Sequence, residues 1–434
     1  MPIIDFPDRS RSIQVPNWVL VLLFLAYALP GNIGHLPWRG DDIQHISISR
    51  DLLESGNWLT PKLAGLTYTE WGPLTYWIGA ATGKLLSWFL PIHDAIRSCT
   101  ILALGALVWF LRASAREFYG QEAGAAAVLL TLGSLGLLLH AHEMQPQMVL
   151  SACMAASLYG VARIHSRPSS GALIAGSASG AAFLAAGLAG LILTLPLCVC
   201  AFVYYREHRR KIAIGLLPPI FLTLCWPLLL AVQDPVYLAA WWASQISKIL
   251  PHGEHLQRFR SLGNLIGWFA WPLWPVAIWS LWHRRGQYQA FGHVLPIVAT
   301  GLSLALISTT GAMKPANVLP LLPPLILIAA AETCRLRRGA AYAFDWFGVM
   351  TFSLLGLFLW LAWSGLSHGW PPALARNVSR LMPDFQASWS WLELCIAIVL
   401  SLAWVTSIIK VPFFQLRGAL HWALGITLSW GLAT

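Results

Sequence analysis

Apolar runs of roughly 16–21 residues recur from one end of the chain to the other, separated by short polar joints. A helix needs about 20 apolar residues to cross a hydrocarbon core of ~30 Å. The pattern predicts spans near 17–33, 97–111, 123–140, 148–164, 171–186, 188–204, 212–232, 262–282, 291–308, 317–333, 344–364, 391–409 and 419–434. The chain therefore reads as an all-α, polytopic integral membrane protein of about thirteen spans. Arg9 and Arg11 precede the first run as they would in a signal peptide. No small-residue cleavage site follows Tyr27-Ala28-Leu29-Pro30-Gly31, so a membrane anchor is expected. The last run reaches Thr434, which predicts either a terminal helix or truncation of a longer chain.

Composition narrows the class. Of 434 residues, 57% are hydrophobic and 11% charged, against about 45–50% and ~25% in a soluble domain. So few charges cannot cover a water-facing surface, which excludes a soluble globular enzyme. The cysteines at 99, 153, 198, 200, 225, 334 and 395 lie within or at the ends of apolar runs and form no Cys-x-x-Cys pair. Neither a zinc site nor a disulfide framework is indicated.

The net charge of +10 raises the question of nucleic acid, but its distribution answers in favour of topology. With the N-terminus in the cytoplasm, alternating spans put Arg9, Arg11, Arg112, Arg116, Arg163, Arg167, Arg206, Arg209, Arg210, Lys211, Arg284, Arg285, Arg335, Arg337, Arg338, Lys410 and Arg417 inside. Those seventeen are the majority of the 28 basic residues, as the positive-inside rule requires. The layout holds only if the apolar segment 73–90 does not cross, because a crossing would flip every later loop. That segment is expected as an interfacial or re-entrant helix, with Trp77, Lys84 and Trp88 in the headgroup zone. The large outer segments are then 34–96, 233–261, 309–316 and 365–390. The first is far longer than the ~15 residues beyond which loops are usually functional.

Unusual polar residues gather on that outer side. Asp41-Asp42 suits a general base or a divalent-ion ligand, or is simply solvated loop charge. Glu70, in Tyr68-Thr69-Glu70-Trp71-Gly72-Pro73, is either a partly desolvated proton-transfer group or a charge favoured by a helix N-terminus. His140, His142, Glu143, Gln145 and Gln147 form either an active-site wall or a polar cap where two spans leave the bilayer, and their spacing is not that of a zinc hydrolase. Lys62, Lys248, His252, His255, Arg258, Arg260 and Lys314 are cations on the same side, suited to phosphate if several converge. There is no phosphate loop or dinucleotide fingerprint.

Residues Asp41 to Trp77 resemble the first outer loop of glycosyltransferase family 39, the aminoarabinose transferase and protein O-mannosyltransferase group. The shared pattern is an acidic pair, then Leu53-Glu54-Ser55-Gly56-Asn57-Trp58-Leu59-Thr60-Pro61-Lys62-Leu63-Ala64-Gly65, then Tyr68-Thr69-Glu70 and Leu74-Thr75-Tyr76-Trp77. Echoes follow at His142-Glu143-Met144 and at Lys314 with Asn317-Val318-Leu319-Pro320. The resemblance implies a single GT-C-type transmembrane domain over 1–434 with its active site on the outer face. It implies transfer of a sugar from a polyprenyl-phosphate donor to an envelope lipid, such as lipid A or lipopolysaccharide, or to a protein, in a bacterial inner membrane. No nucleic acid partner is implied. Asp41, Asp42, Glu70 and Glu143 would be the catalytic carboxylates, with a divalent cation on Asp42 and Glu70 left open. Lys62, Arg258 and Lys314 would hold the donor phosphate, and His142, Gln147 and His255 would support the acceptor.

The chain departs from the group's pattern at three places. Gln147 stands where a second acidic residue is usual, and Trp71-Gly72 replaces Lys-Pro after the loop glutamate. Phe183-Leu184-Ala185-Ala186-Gly187 replaces a phrase with lysine at its fourth position. Glu143, one helical turn before Gln147, is expected to supply the missing carboxylate. The alternatives are a degenerate relative acting as a binding or scaffold subunit, and a polyprenyl-lipid transporter. A transporter would need polar groups near mid-membrane, whereas here the spans have apolar centres.

Overall fold

The computed structural model describes residues 15–38, 40–215, 217–250, 255–287, 290–309, 314–381 and 390–434. The N-terminal Arg9 and Arg11, and Arg39 beside the acidic pair, lie outside the described residues. The helices are α1 (Asn17–Ala28), α2 (Asp41–Ser55), α3 (Leu74–Leu86), α4 (Ile92–Tyr119), α5 (Gln121–Leu132), α6 (Leu135–His140) and α7 (Pro146–Arg163). Then come α8 (Pro168–Ala186), α9 (Leu188–Tyr204), α10 (Arg209–Gly215), α11 (Leu217–Gln233), α12 (Pro235–Ile249), α13 (His255–Phe269) and α14 (Leu273–His283). The rest are α15 (Phe291–Thr309), a 3₁₀ segment Pro315–Leu321, α16 (Leu322–Thr333), α17 (Arg338–His368), α18 (Pro372–Leu381), α19 (Trp391–Lys410) and α20 (Arg417–Ala433).

Each apolar run of the sequence falls on a helix or a pair of helices. Among the described residues, seven helices are long and apolar enough to cross a membrane, or eight if a bent pair counts as one. Two of the expected spans are broken. The run 123–140 stops at Gly133-Ser134 and restarts as α6, and the run 262–282 bends by 92° between α13 and α14. Pro272, which has no N–H to give, sits at the second break. The two breaks meet: Leu135 N donates to Trp271 O at 3.0 Å, so backbone groups freed from one helix are satisfied by the other. Elsewhere small residues bring helices close. A Cβ on Gly160 of α7 would come within 2.3 Å of Ala175 N on α8, so only glycine permits this approach.

Helix α3, within the segment 73–90, has 13 residues. At 1.5 Å per residue it is about 20 Å long, too short for a ~30 Å core. One face, with Tyr76, Gly79, Ala80 and Gly83, is buried against α2 and α4. Lys84, Leu85 and Trp88 point outward. The first outer segment thus folds as α2, a two-strand antiparallel hairpin (Lys62–Leu63 with Leu66–Thr67) and α3. Ala64 and Gly65 both have positive φ at the hairpin tip, where a tight turn demands it.

A buried ion cluster fixes this segment to the bundle. Arg97 in α4, fully buried, donates from Nη2 to Asp42 Oδ2 at 3.2 Å and from Nη1 to Asp94 Oδ1 at 3.1 Å. Its Nη1 also reaches the carbonyls of Asn32 and His35. Asp94 Oδ2 accepts from Gly34 N at 2.8 Å, and Asp42 accepts from Trp38 N at 2.9 Å and Met144 N at 2.8 Å. One guanidinium therefore joins the chain after α1, the start of α2, the start of α4 and the turn before α7. Removing one member of a buried pair strands the remaining charges, which costs about 3–5 kcal/mol. Arg97→Met is expected to lower the stability of the detergent-solubilised protein by that amount, read as a fall in melting temperature. A melting temperature equal to that of the unsubstituted protein would show that the cluster is not holding the segment.

Candidate active site

Asp41 opens α2, and Gly40 before it has φ +84°, a conformation glycine accepts without strain. The carboxylate sits on the first turn, where the helix dipole favours negative charge. It faces a cavity of about 210 Å³ bounded by α2, the 70s loop, α7, α9, α12, the end of α15 and the 3₁₀ segment. Lys314, immediately ahead of that segment, places Nζ 3.1 Å from Asp41 Oδ1 and 3.4 Å from Oδ2. Three residues later, Asn317 Oδ1 accepts from Gln147 Nε2 at 3.1 Å. Gln147 is buried, and its Oε1 has no hydrogen-bond partner among the described residues.

The loop bearing Glu70 is held mostly by its backbone. Helix α12 presents Tyr237, Trp241, Gln245 and Lys248 along one face. Tyr237 Oη donates to Tyr68 O at 2.7 Å, and Trp241 Nε1 to Trp71 O at 3.2 Å. Gln245 Nε2 reaches Thr69 O at 3.3 Å and Glu70 O at 3.2 Å, and Lys248 Nζ also donates to Glu70 O. On the other side Gly72 N donates to Ala185 O at 3.1 Å. A Cβ on Gly72 would lie 2.1 Å from Leu184 O, which explains glycine at this position. The Glu70 side chain accepts from Tyr68 Oη at 3.2 Å, and Tyr68 Oη accepts from Gln44 Nε2 at 3.0 Å.

Burial sets the charge states around the cavity. His45, with Nδ1 3.0 Å from Tyr76 Oη, is pushed down to about 4 by desolvation and is a neutral imidazole at pH 7. Lys248 is lowered from 10.5 to about 8, first by burial, with the Lys314 charge acting in the same sense and Glu70 opposing. Its ammonium lies 4.3 Å from the centroid of the Trp71 ring, a cation–π contact. Two lysines and two carboxylates thus share one partly apolar cavity, which also has Leu150, Ala189 and Leu306 in its wall. The arrangement suits an anionic group attached to an apolar chain.

Of the residues singled out from sequence, Asp41, Glu70, Gln147, Lys248 and Lys314 line this cavity together. Four further candidates whose side chains are described, Asp42, Glu143, His142 and Lys62, do not. Asp42 is buried outside the cavity lining, and its oxygens accept from Arg97, Trp38 and Met144. Among the described residues, no three His, Cys, Asp or Glu side chains gather to hold an ion. Glu143 does not stand one turn before Gln147, because α7 begins only at Pro146 and residues 141–145 form a turn. Its carboxylate accepts from Gln145 Nε2 at 3.3 Å and lies 3.3 Å from His140 Nδ1. His142 is buried with its ring nitrogens 2.7 Å from Leu138 O and Tyr27 O, and it stacks on Trp430, so no face is left for an acceptor. Lys62 sits in the hairpin, outside the described cavity lining. His255 and Arg258 belong to the first turn of α13, but their side chains lie outside the described residues.

Lys248 and Gln245 carry more of the site than the sequence reading assigned them. Their signal is a stripe: Tyr237, Trp241, Gln245 and Lys248 recur every three or four residues, one face of a helix. Arg97 was concealed at the edge of an apolar run, where it reads as the boundary of a span.

A family model described as dolichyl-phosphate-mannose-protein mannosyltransferase matches residues 71–232. An undecaprenyl phosphate-alpha-4-amino-4-deoxy-L-arabinose arabinosyl transferase from Edwardsiella ictaluri is 27% identical over 341 residues. That match covers 74% of this chain and 60% of the relative, so the chain spans less than two thirds of that protein's length. A protein of the same description from Pseudomonas aeruginosa (strain LESB58) is 26% identical, over 96% of this chain and 74% of its own. Among solved structures, ArnT from Cupriavidus metallidurans in the apo state superposes with a TM-score of 0.70 at 19% identity, covering 96% of this chain and 74% of that one. The same protein bound to undecaprenyl phosphate gives 0.71 at 18% identity, over 96% and 75%. The fold is accordingly that of a GT-C-type polytopic helical membrane protein. The likeness read from the first outer loop extends over most of the chain.

The lowered Lys248 makes the positive charge of the cavity pH-dependent. An ammonium that titrates near 8 loses its charge as pH rises, so a phosphodiester held by Lys248 and Lys314 is held most tightly below that pH. Phosphodiester affinity of the purified protein is expected to fall between pH 7 and 9, and Lys248→Met to be weaker at pH 7 and flat across that range. An unchanged slope in Lys248→Met would assign the titration to another group.

Proposed function

We propose that the chain is a glycosyltransferase of a bacterial inner membrane. It transfers a sugar of the aminopentose class from a polyprenyl-phosphate donor to an envelope lipid of the lipid A type. The observation that carries this reading is the shared cavity, lined by Asp41, Glu70, Lys248 and Lys314 together with apolar side chains. The printed description of the relatives names an undecaprenyl phosphate-linked aminoarabinose, whose phosphate and polyprenyl chain match that division into cationic and apolar parts.

In this reading an acceptor hydroxyl or phosphate oxygen attacks the anomeric carbon. The new carbon–oxygen bond forms as the bond from that carbon to the donor phosphate oxygen breaks, and the electron pair leaves with the polyprenyl phosphate. Asp41 takes the acceptor's proton or orients the attacking oxygen, and Glu70 positions the acceptor. Lys248 and Lys314 hold the departing phosphate, while Arg97, by fixing Asp42, holds the start of α2 that carries Asp41. The departures from the group's pattern fit a working site. Trp71, Gln147 and Ala186 all line the cavity, and α12 brings the Lys248 ammonium over the Trp71 ring, a cation in place of one the pattern would put at 71. Residues 1–434 act as one transmembrane unit of about thirteen spans, with the N-terminus in the cytoplasm and the cavity on the periplasmic side.

Loss of a general base typically lowers the rate ~10²–10⁴-fold. Asp41→Asn in lipid nanodiscs, given labelled undecaprenyl-phosphate aminoarabinose and lipid A, is expected to lose turnover to that extent while eluting as a folded monodisperse species. Turnover near that of the unsubstituted protein would retire Asp41 from this role. For the orientation, a single cysteine at His93 in a cysteine-free background is expected to react with a membrane-impermeant thiol reagent from the periplasmic side. Reaction only from the cytoplasm would reverse the layout.

A further inference from the structure

The two lysines of the cavity differ in what they hold. The Lys248 ammonium rests on a ring and a backbone carbonyl, both uncharged. Lys314 is ion-paired with Asp41, across 273 residues of sequence, through a contact in which both side chains keep partial access to solvent. Partly exposed pairs of this kind are weak and exchange readily. The charge of Lys314 also acts on Lys248, so the two ammoniums lie within electrostatic reach of each other. An anion entering between them relieves that repulsion, and its oxygens compete with Asp41 for Lys314.

We infer that the Asp41–Lys314 ion pair is a latch, in which the donor phosphate draws Lys314 off Asp41 and so frees the Asp41 carboxylate for the acceptor. The inference rests on the reading of the cavity as a polyprenyl-phosphate site and adds an order to it. Before the donor binds, the oxygens of Asp41 are occupied by an ammonium and poorly placed to accept a proton. After it binds, the phosphate has taken over the ammonium. Donor binding and release of the base are then one event. By linkage, whatever factor the carboxylate costs in phosphate affinity is the factor by which phosphate binding favours the open carboxylate.

The consequence is contrary to the usual expectation for a catalytic residue, since removing Asp41 should tighten the binding of the phosphate ligand. Undecaprenyl phosphate is the probe, titrated into the purified full chain in nanodiscs, with Asp41→Asn, Lys314→Met, Lys314→Arg and the Asp41→Asn/Lys314→Met double variant. Asp41→Asn is expected to bind about two- to fivefold more tightly, the range set by one partly exposed ion pair. Lys314→Met should bind more weakly, with Lys314→Arg restoring affinity. In the Lys314→Met background, Asp41→Asn should have no further effect, because the partner it releases is gone. Unchanged or weaker binding by Asp41→Asn overturns the latch. So does equal tightening in both backgrounds, which would mean simple repulsion between carboxylate and phosphate. If Lys248→Met and Lys314→Met both bind the probe as the unsubstituted protein does, the donor site itself is misassigned and the latch falls with it.

Discussion

A single buried guanidinium organises the part of the molecule that carries Asp41. Arg97 reaches Asp42 and Asp94 and the carbonyls of residues 32 and 35, and through them it ties together three stretches of chain, residues 32–42, 94–97 and the turn at Met144. Burying three charges together is expensive unless each is hydrogen-bonded, and here the backbone N–H groups of Gly34, Trp38 and Met144 complete the carboxylates. The geometry of Asp41 is a by-product of this arrangement. Consecutive residues at a helix start point in different directions, so anchoring Asp42 inward leaves Asp41 facing the cavity. The acidic pair therefore divides its labour between holding the frame and facing the substrate space.

The membrane class and the position of most of the apolar helices were legible in the sequence, whereas α2, α12 and α18 lie in segments read as loops. Hydrophobic runs near the thickness of a bilayer and the uneven distribution of arginine carry that information without help from tertiary structure. What stayed hidden depended on contacts between distant segments. The breaks at Gly133-Ser134 and at Pro272 satisfy each other across the bundle, so neither run betrays its break by its own hydropathy. Glu143 looked like a neighbour of Gln147 on a continuous helix, yet Pro146 starts α7 and leaves Glu143 in a turn. The second cation, Lys248, belongs to a stripe whose purpose is visible only once α12 is seen against the loop that carries Glu70.

The cavity draws its charge from elements far apart in the chain. Trp71 and Ala186 both line it. The ring of Trp71 supports Lys248, whose ammonium arrives from a different helix and is lowered by burial to about 8. Lys314, from the 3₁₀ side, supplies the other charge. Neutral amides complete the polar lining, with Gln147 contributing an acceptor that has no partner among the described residues.

Helix α12 grips the loop at residues 68–71 mainly through main-chain oxygens, and adds the Lys248 ammonium over the Trp71 ring. A scaffold that reads mostly the backbone depends little on what the backbone carries. Residues 69 and 70 can therefore be exchanged by mutation with little disturbance to the path of the chain, whereas Trp71 is tied to Lys248 by its ring. In evolutionary terms, the clamp leaves the side chain presented to the cavity at position 70 editable at little cost to the frame.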